Sequence, residues 1–232
     1  AWATALSQVV GGILPLIYFA RPNDSLLHLG PASFDGFALL RTCTNGVSEL
    51  VSNISMSLVG LLFNVQLMAY AGENGVAAYG VIMYIDFIFL AAFIGYAMGT
   101  APVISYHFGA ENHAELKSLL RKSLIILLIS SVGMFVFAEA AARPLALIFA
   151  SYDPTLLDIT VHGFRIYSIS FLFVGFTIFG SSFFTALNNG LVSAIISFVR
   201  TMIFEVVLVL ALPVWWDIDG IWWAVVIARG LS

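Results

Sequence analysis

The chain has 232 residues, of which 61% are hydrophobic and 9% charged, and a net charge of −4. Its mean hydropathy is +1.01, whereas soluble domains carry about 25% charged residues. A water-soluble fold is therefore excluded, no nucleic-acid partner is expected, and the chain reads as an all-α, polytopic transmembrane helix bundle in a lipid bilayer.

Residues 1–20 form a first hydrophobic span, closed by the breaker cluster Arg21-Pro22-Asn23-Asp24. Residues 21–35 are a polar connector with His28, Gly30 and Pro31. Residues 36–70 form a long apolar helix with a polar stripe. At about 1.5 Å per residue it runs roughly 52 Å, more than a hydrocarbon core of about 30 Å, so it must tilt, kink or protrude. Ala71-Gly72-Glu73-Asn74-Gly75 is a turn, and residues 76–106 return as a span carrying Asp86. Gly95, Gly99 and Pro102 are expected to loosen the far end of that span. A loop from His107 to about Glu115 precedes Lys117, Arg121 and Lys122. The next span is expected to run to about Ala142, closed by Arg143-Pro144.

Tyr152-Asp153-Pro154 then marks a turn region. Residues 159–187 form one span, with His162 and Arg165 at its entry and a run of Ser and Thr within it. Asp158 and His162, four apart, read as a helix-start pair. Asn188-Asn189-Gly190 is a turn. Residues 191–213 make a sixth span with Arg200 and Glu205, five apart and so not on one α-helical face. An interfacial turn at Pro213-Val214-Trp215-Trp216-Asp217 leads to a partial seventh span at 220–232. The chain opens and stops inside hydrophobic segments, so a piece of a longer, transporter-like protein is expected. The Lys117, Arg121 and Lys122 cluster places the 107–116 loop in the cytoplasm by the positive-inside rule.

Asn45, Glu49, Asn53 and Ser57, spaced by four, share one face of the second helix, with Ser52 beside them and Gly60 and Asn64 beyond. Small polar residues alone are common glue between membrane helices. An intramembrane carboxylate is costly and usually faces a bundle interior or a watery cavity. Glu49 is thus the leading coupling group. As a carboxyl it takes and releases a proton. As a carboxylate, with oxygens of Asn45, Ser52 or Asn53, it binds sodium. Asp86 is second and Glu205 third as ion-coupling or substrate-binding residues. Cys43 is the single cysteine, and no two histidines have ligand spacing, so no metal site is expected beyond possible sodium at Glu49. No nucleotide-binding or catalytic motif is present, so neither an enzyme nor an ATP-driven pump is expected.

Gly75-Val76-Ala77-Ala78-Tyr79-Gly80 and Ala101-Pro102-Val103-Ile104-Ser105-Tyr106-His107-Phe108-Gly109-Ala110 resemble the multidrug and toxic compound extrusion (MATE) family. So do Gly180-Ser181-Ser182-Phe183-Phe184-Thr185-Ala186-Leu187, Ser197-Phe198-Val199-Arg200, and Ser48-Glu49-Leu50 followed by Ser52, Ser55 and Phe63-Asn64. Ala101 stands where the family often has Gln. The resemblance implies one six-helix lobe of a twelve-helix transporter: residues 1–20 as the end of the preceding lobe, 21–35 as interlobe connector, and 36–232 as the carboxy-terminal lobe with a truncated last helix. It further implies a secondary multidrug efflux antiporter of the plasma membrane, without cofactor. Such a protein exports drugs or toxic organic cations against a proton or sodium gradient, together with an amino-terminal lobe missing here. The alternative is a truncated, non-transporting membrane remnant or packing partner.

Overall fold

A computed structural model describes residues 2–21 and 34–231. Residues 22–33, most of the expected connector, lie outside the described residues, as do the side chains of Asn45, Glu49, Ser52 and Arg200. Within the described residues every element is helical: α1 (Trp2–Ala20), α2 (Gly36–Gly109), α3 (His113–Ala150), α4 (Pro154–Ser168), α5 (Phe171–Ala186), α6 (Gly190–Phe198), a π-helical segment (Val199–Glu205), α7 (Val206–Ala211) and α8 (Pro213–Leu231). The chain divides into two compact units, Ala1–Leu40 and Arg41–Ser232. The first holds the apolar α1, with Pro15 inside it. The second holds the rest of the bundle.

Among the described residues three helices are long and apolar enough to cross a membrane, or four if the bent α4–α5 pair is one span. One of the three, α2, is a hairpin. Gly72 has φ 62° and ψ −154°, a region open essentially to glycine alone. In unbroken helix Phe63 and Tyr79 would stand roughly 24 Å apart. Their rings instead stack at 5.2 Å, so residues 36–71 and 73–109 form two antiparallel arms. Pro102 and the glycines before it do not break the second arm, which stays helical to Gly109.

The expected helix end at Arg143-Pro144 is also absent, for α3 continues to Ala150. Ala138, Ala142, Ala146 and Ala150 are all fully buried. Their four-residue spacing carries a small-residue contact face straight past Pro144, and packed neighbours let a membrane helix tolerate a proline. The span expected at 159–187 is two helices, α4 and α5, meeting at 54°. The span expected at 191–213 is continuous but underwound in the middle, where Val199–Glu205 is π-helical.

The helix starts follow side-chain chemistry. Asn112 accepts from the Glu115 N–H, Asp153 from Thr155 and Leu156, and Asn189 from Val192, each satisfying an orphan donor of the first turn. Close crossings use glycine. A Cβ on Gly163 would stand 2.6 Å from the Trp222 ring, and one on Gly175 would stand 2.6 Å from Phe93. Helix α8 turns at Trp216-Asp217 and then buries Ile221, Trp222, Ala224, Val225, Val226 and Ala228. Apolar burial nearly all round marks a central helix. The segment that reads as a marginal last span is the axis of its unit.

Candidate functional site

Along α2's first arm, Ser55, Val59, Phe63 and Leu67 face the core. Asn53, Ser57 and Asn64 lie on a different, exposed face. Ser57 Oγ donates to the Asn53 carbonyl at 3.0 Å and Asn64 Nδ2 to the Gly60 carbonyl at 2.9 Å. These described members of the polar stripe therefore lie on the outside of this unit, with part of their hydrogen bonding spent on their own helix. Asn45, Glu49 and Ser52 sit on helical backbone, and their side chains lie outside the described residues.

The buried polar centre is elsewhere. Asp86 is 3% exposed. It follows Gly72 by roughly 21 Å of helix, inside the length of a hydrocarbon core about 30 Å thick. Arg229 of α8 places Nη2 3.5 Å from Asp86 Oδ2. The same nitrogen donates to the Tyr167 hydroxyl at 2.8 Å, and Nη1 donates to Ser170 Oγ at 2.9 Å. The guanidinium carbon lies 5.0 Å from the centre of the Tyr167 ring, within cation–π range. Glu205, at the end of the π-helical segment, is close enough to act electrostatically on both Arg229 and Tyr79. Asp86 Oδ1 is buried without a hydrogen-bond partner.

Of the six expected site residues, this arrangement brings Asp86 and Glu205 together and leaves Asn53 outside. Arg229, Tyr167 and Tyr79 escaped the sequence reading. A signal for Arg229 was present: it is a lone basic residue after the apolar run Trp222–Ala228, and a charge so placed is normally paired. The i→i+5 geometry of the π turn also sets positions 200 and 205 one turn apart, which the α-helical reading did not allow.

Two further polar contacts hold helices. Ser168 Oγ donates to Glu139 at 2.6 Å, so Glu139 is joined to α4. Ser193 is joined to Ser181 at 2.8 Å and Thr185 at 2.9 Å, tying α6 to α5. The expected Asp158–His162 pair is replaced by His162 Nε2 to Asp219 Oδ1 at 2.7 Å.

An apolar helical lobe, with a charged cluster buried in it and Asn53, Ser57 and Asn64 on an exposed face, defines the class of a membrane transporter domain. The MatE family profile matches residues 50–210, and the chain belongs to the multidrug and toxic compound extrusion family. It is 24% identical over 187 residues to a multidrug export protein, MepA, of Staphylococcus haemolyticus, covering 75% of this chain and 40% of that protein. Its fold is similar to a MATE crystal structure in complex with MaL6 (TM-score 0.91, 21% identity, 99% of this chain and 52% of that one). It is similar also to an outward-facing multidrug resistance MATE transporter (TM-score 0.89, 21% identity, the same coverage). The chain thus spans about half the length of these solved chains and less of the curated relative. It is a multi-pass membrane protein.

Proposed function

We propose that this chain is the carboxy-terminal lobe of a secondary multidrug efflux antiporter of the plasma membrane. Residues 1–20 end the preceding lobe, residues 21–35 connect, and residues 36–232 form the lobe itself. The transporter exports organic, often cationic, compounds in exchange for protons or sodium and needs no cofactor. The observation that carries this reading is the buried Asp86–Arg229 pair at the centre of an apolar bundle. An intramembrane ion pair is costly to build and marks ion or substrate pathways. Family membership adds the class of cargo, and the MepA relatives are named as multidrug export proteins.

In this reading the stripe of Asn45, Glu49, Ser52 and Asn53 faces the second lobe across the translocation path, and Glu49 exchanges the coupling ion there. Antiport requires that ion and substrate favour different conformational states, because a ligand shifts an equilibrium only by its differential affinity. The test is dye efflux from vesicles holding the transporter that contains this lobe, under an imposed proton or sodium gradient. Glu49→Gln should abolish gradient-driven efflux while the protein stays folded and inserted, and Glu49→Asp should keep part of it. Full efflux by Glu49→Gln would remove Glu49 from coupling and leave it a hydrogen-bonding role.

A further inference from the structure

The start of α3 carries positive charge that the fold leaves unused. Lys117, Arg121 and Lys122 are all exposed, and among the described residues the ion pairs are made by other side chains. His113, Lys117 and Arg121 follow one another in steps of four and so share a face of α3. The acidic residues at this end do not cancel them. Glu115 is two residues from Lys117 and so leaves the helix on nearly the opposite side, and Glu111 sits in the turn before α3 with φ 55°. Helix α3 has 38 residues, roughly 57 Å of helix against a hydrocarbon core of about 30 Å. It is long enough for its first turns to stand among lipid headgroups.

Beside this basic face lies an apolar groove of about 430 Å³ between the start of α3 and the end of α5, a size within the range of about 300–1,000 Å³ of small-molecule sites. Its walls are Leu116 and Leu120 of α3 and Phe183 and Leu187 of α5, and the exposed His113 and Lys117 line it as well. Leu116 is buried, while Leu120, Phe183 and Leu187 are half-buried, so the groove has a formed floor and apolar surface still to be covered. Apolar walls with cations along one edge suit an amphiphile with an apolar body and a negative end. An organic cation would meet like charge at Lys117 and Arg121. A soluble anion would leave the apolar walls uncovered.

We propose that this groove binds one anionic phospholipid, its phosphate held by Lys117 and Arg121 and an acyl chain laid along Leu116, Leu120, Phe183 and Leu187. The bilayer supplies the ligand. The positive-inside rule that places the 107–116 loop in the cytoplasm also places the groove at the leaflet that carries anionic lipid. The long stems of Lys117 and Arg121 run along apolar surface while their charged heads reach the headgroup layer. A choline headgroup carries the same phosphate but brings a cation against Lys117, so the groove selects net negative lipid. Lys122 lies roughly 100° further round α3 than Arg121 and adds attraction without lining the groove. The bound lipid braces the start of α3 against the end of α5, where Ser105 Oγ already donates to the Ala186 carbonyl at 2.9 Å. The site needs only a bilayer and does not rest on the antiporter reading.

The test counts the lipid. The full chain, purified in detergent, is mixed with phosphatidylglycerol or with phosphatidylcholine of the same acyl chains, and lipid bound per chain is read by native mass spectrometry. One phosphatidylglycerol should stay bound at concentrations where phosphatidylcholine is lost. A basic residue near an anionic headgroup contributes about fivefold, so Lys117→Gln together with Arg121→Gln should weaken phosphatidylglycerol binding about 25-fold. Phosphatidylcholine should be unaffected by that pair. Lys117→Arg together with Arg121→Lys should bind as the parent does, which separates lost binding from lost folding. Leu120→Trp, which fills the groove and keeps every charge, should also weaken binding. Phosphatidylglycerol with a photoreactive acyl chain should label residues within 113–124 or 183–187. Equal retention of the two lipids, parental binding by the double Gln variant, or labelling confined to other helices overturns the proposal. So does displacement by millimolar inorganic phosphate, the mark of an anion site without a chain groove, or a dimer of the chain that holds no lipid. Efflux does not enter the measurement, so its absence would sink the transport reading and leave this site standing.

Discussion

Two polar regions of the same bundle invite comparison. The stripe on α2's first arm is written in one stretch of sequence at a helical spacing, yet its described members Asn53, Ser57 and Asn64 stand on the exposed face. The cluster around Asp86 has no signature in any single stretch. Its ion pair joins residues 143 positions apart, and it is the part that is buried. Periodicity reports which side chains share a helix face, not what that face meets. A face turned outward can be polar cheaply, because water or a second lobe satisfies it. A charge turned inward must be matched by the fold.

The contrast is broken most sharply by removing one side of the buried pair. Arg229→Ala leaves the buried Asp86 without the guanidinium that faces it, a change that typically costs about 3–5 kcal/mol. Unfolding of the purified chain in mixed micelles should show a loss of that size. Asp86→Asn added to Arg229→Ala should recover part of it, giving a coupling energy well above 0.5 kcal/mol. Asn64→Ala on the stripe should move stability by less than about 0.5 kcal/mol. Equal costs at Arg229 and Asn64 would abolish the distinction between the two regions.

Next in size are the backbone devices that bring the cluster together. Gly163→Val forces side-chain carbons into the Trp222 ring, where even a Cβ would stand at 2.6 Å. Overpacking of this kind costs about 1–3 kcal/mol and shifts α8, so Arg229 should lose register with Asp86. Tryptophan fluorescence and unfolding of Gly163→Val report both effects, and an unchanged spectrum would mean that α4 and α8 do not meet there. Gly72→Ala places a Cβ at φ 62°, ψ −154°, at a cost of about 1–3 kcal/mol. It should loosen the Phe63–Tyr79 stack without touching the Asp86 pair.

These sites also show how far the sequence could be read. The turns were legible because their chemistry is local: Gly72 has a backbone that side chains forbid, and Asn112, Asp153 and Asn189 cap the helices that follow them. Arg143-Pro144 misled because proline ends helices in water, whereas here a buried alanine face holds α3 together on both sides of it. The bend between α4 and α5 and the π turn at Val199–Glu205 leave no mark in composition. Both are set by what the helices pack against. The Asp86–Arg229 pair was half visible, as two lone charges in apolar runs whose meeting depends on the order in which helices assemble.

The smallest expected effect belongs to His162 and Asp219, and it sharpens the comparison from the other side. Their contact is short, 2.7 Å, against 3.5 Å for Asp86 and Arg229. Distance alone would rank it the stronger. Its side chains, however, are 60% and 44% exposed, against 13% and 5% for Arg229 and Asp86. Water solvates both partners when they part, salt screens them when they meet, and ordering two surface side chains costs entropy, so exposed pairs contribute about 0–1 kcal/mol. His162→Gln should therefore change stability by less than about 1 kcal/mol, and the difference should shrink as sodium chloride rises. The cost of Arg229→Ala should barely respond to salt, because buried pairs are screened much less. If His162→Gln cost as much as Arg229→Ala, burial would not be what makes the central pair matter. The shorter contact would then be the stronger one after all.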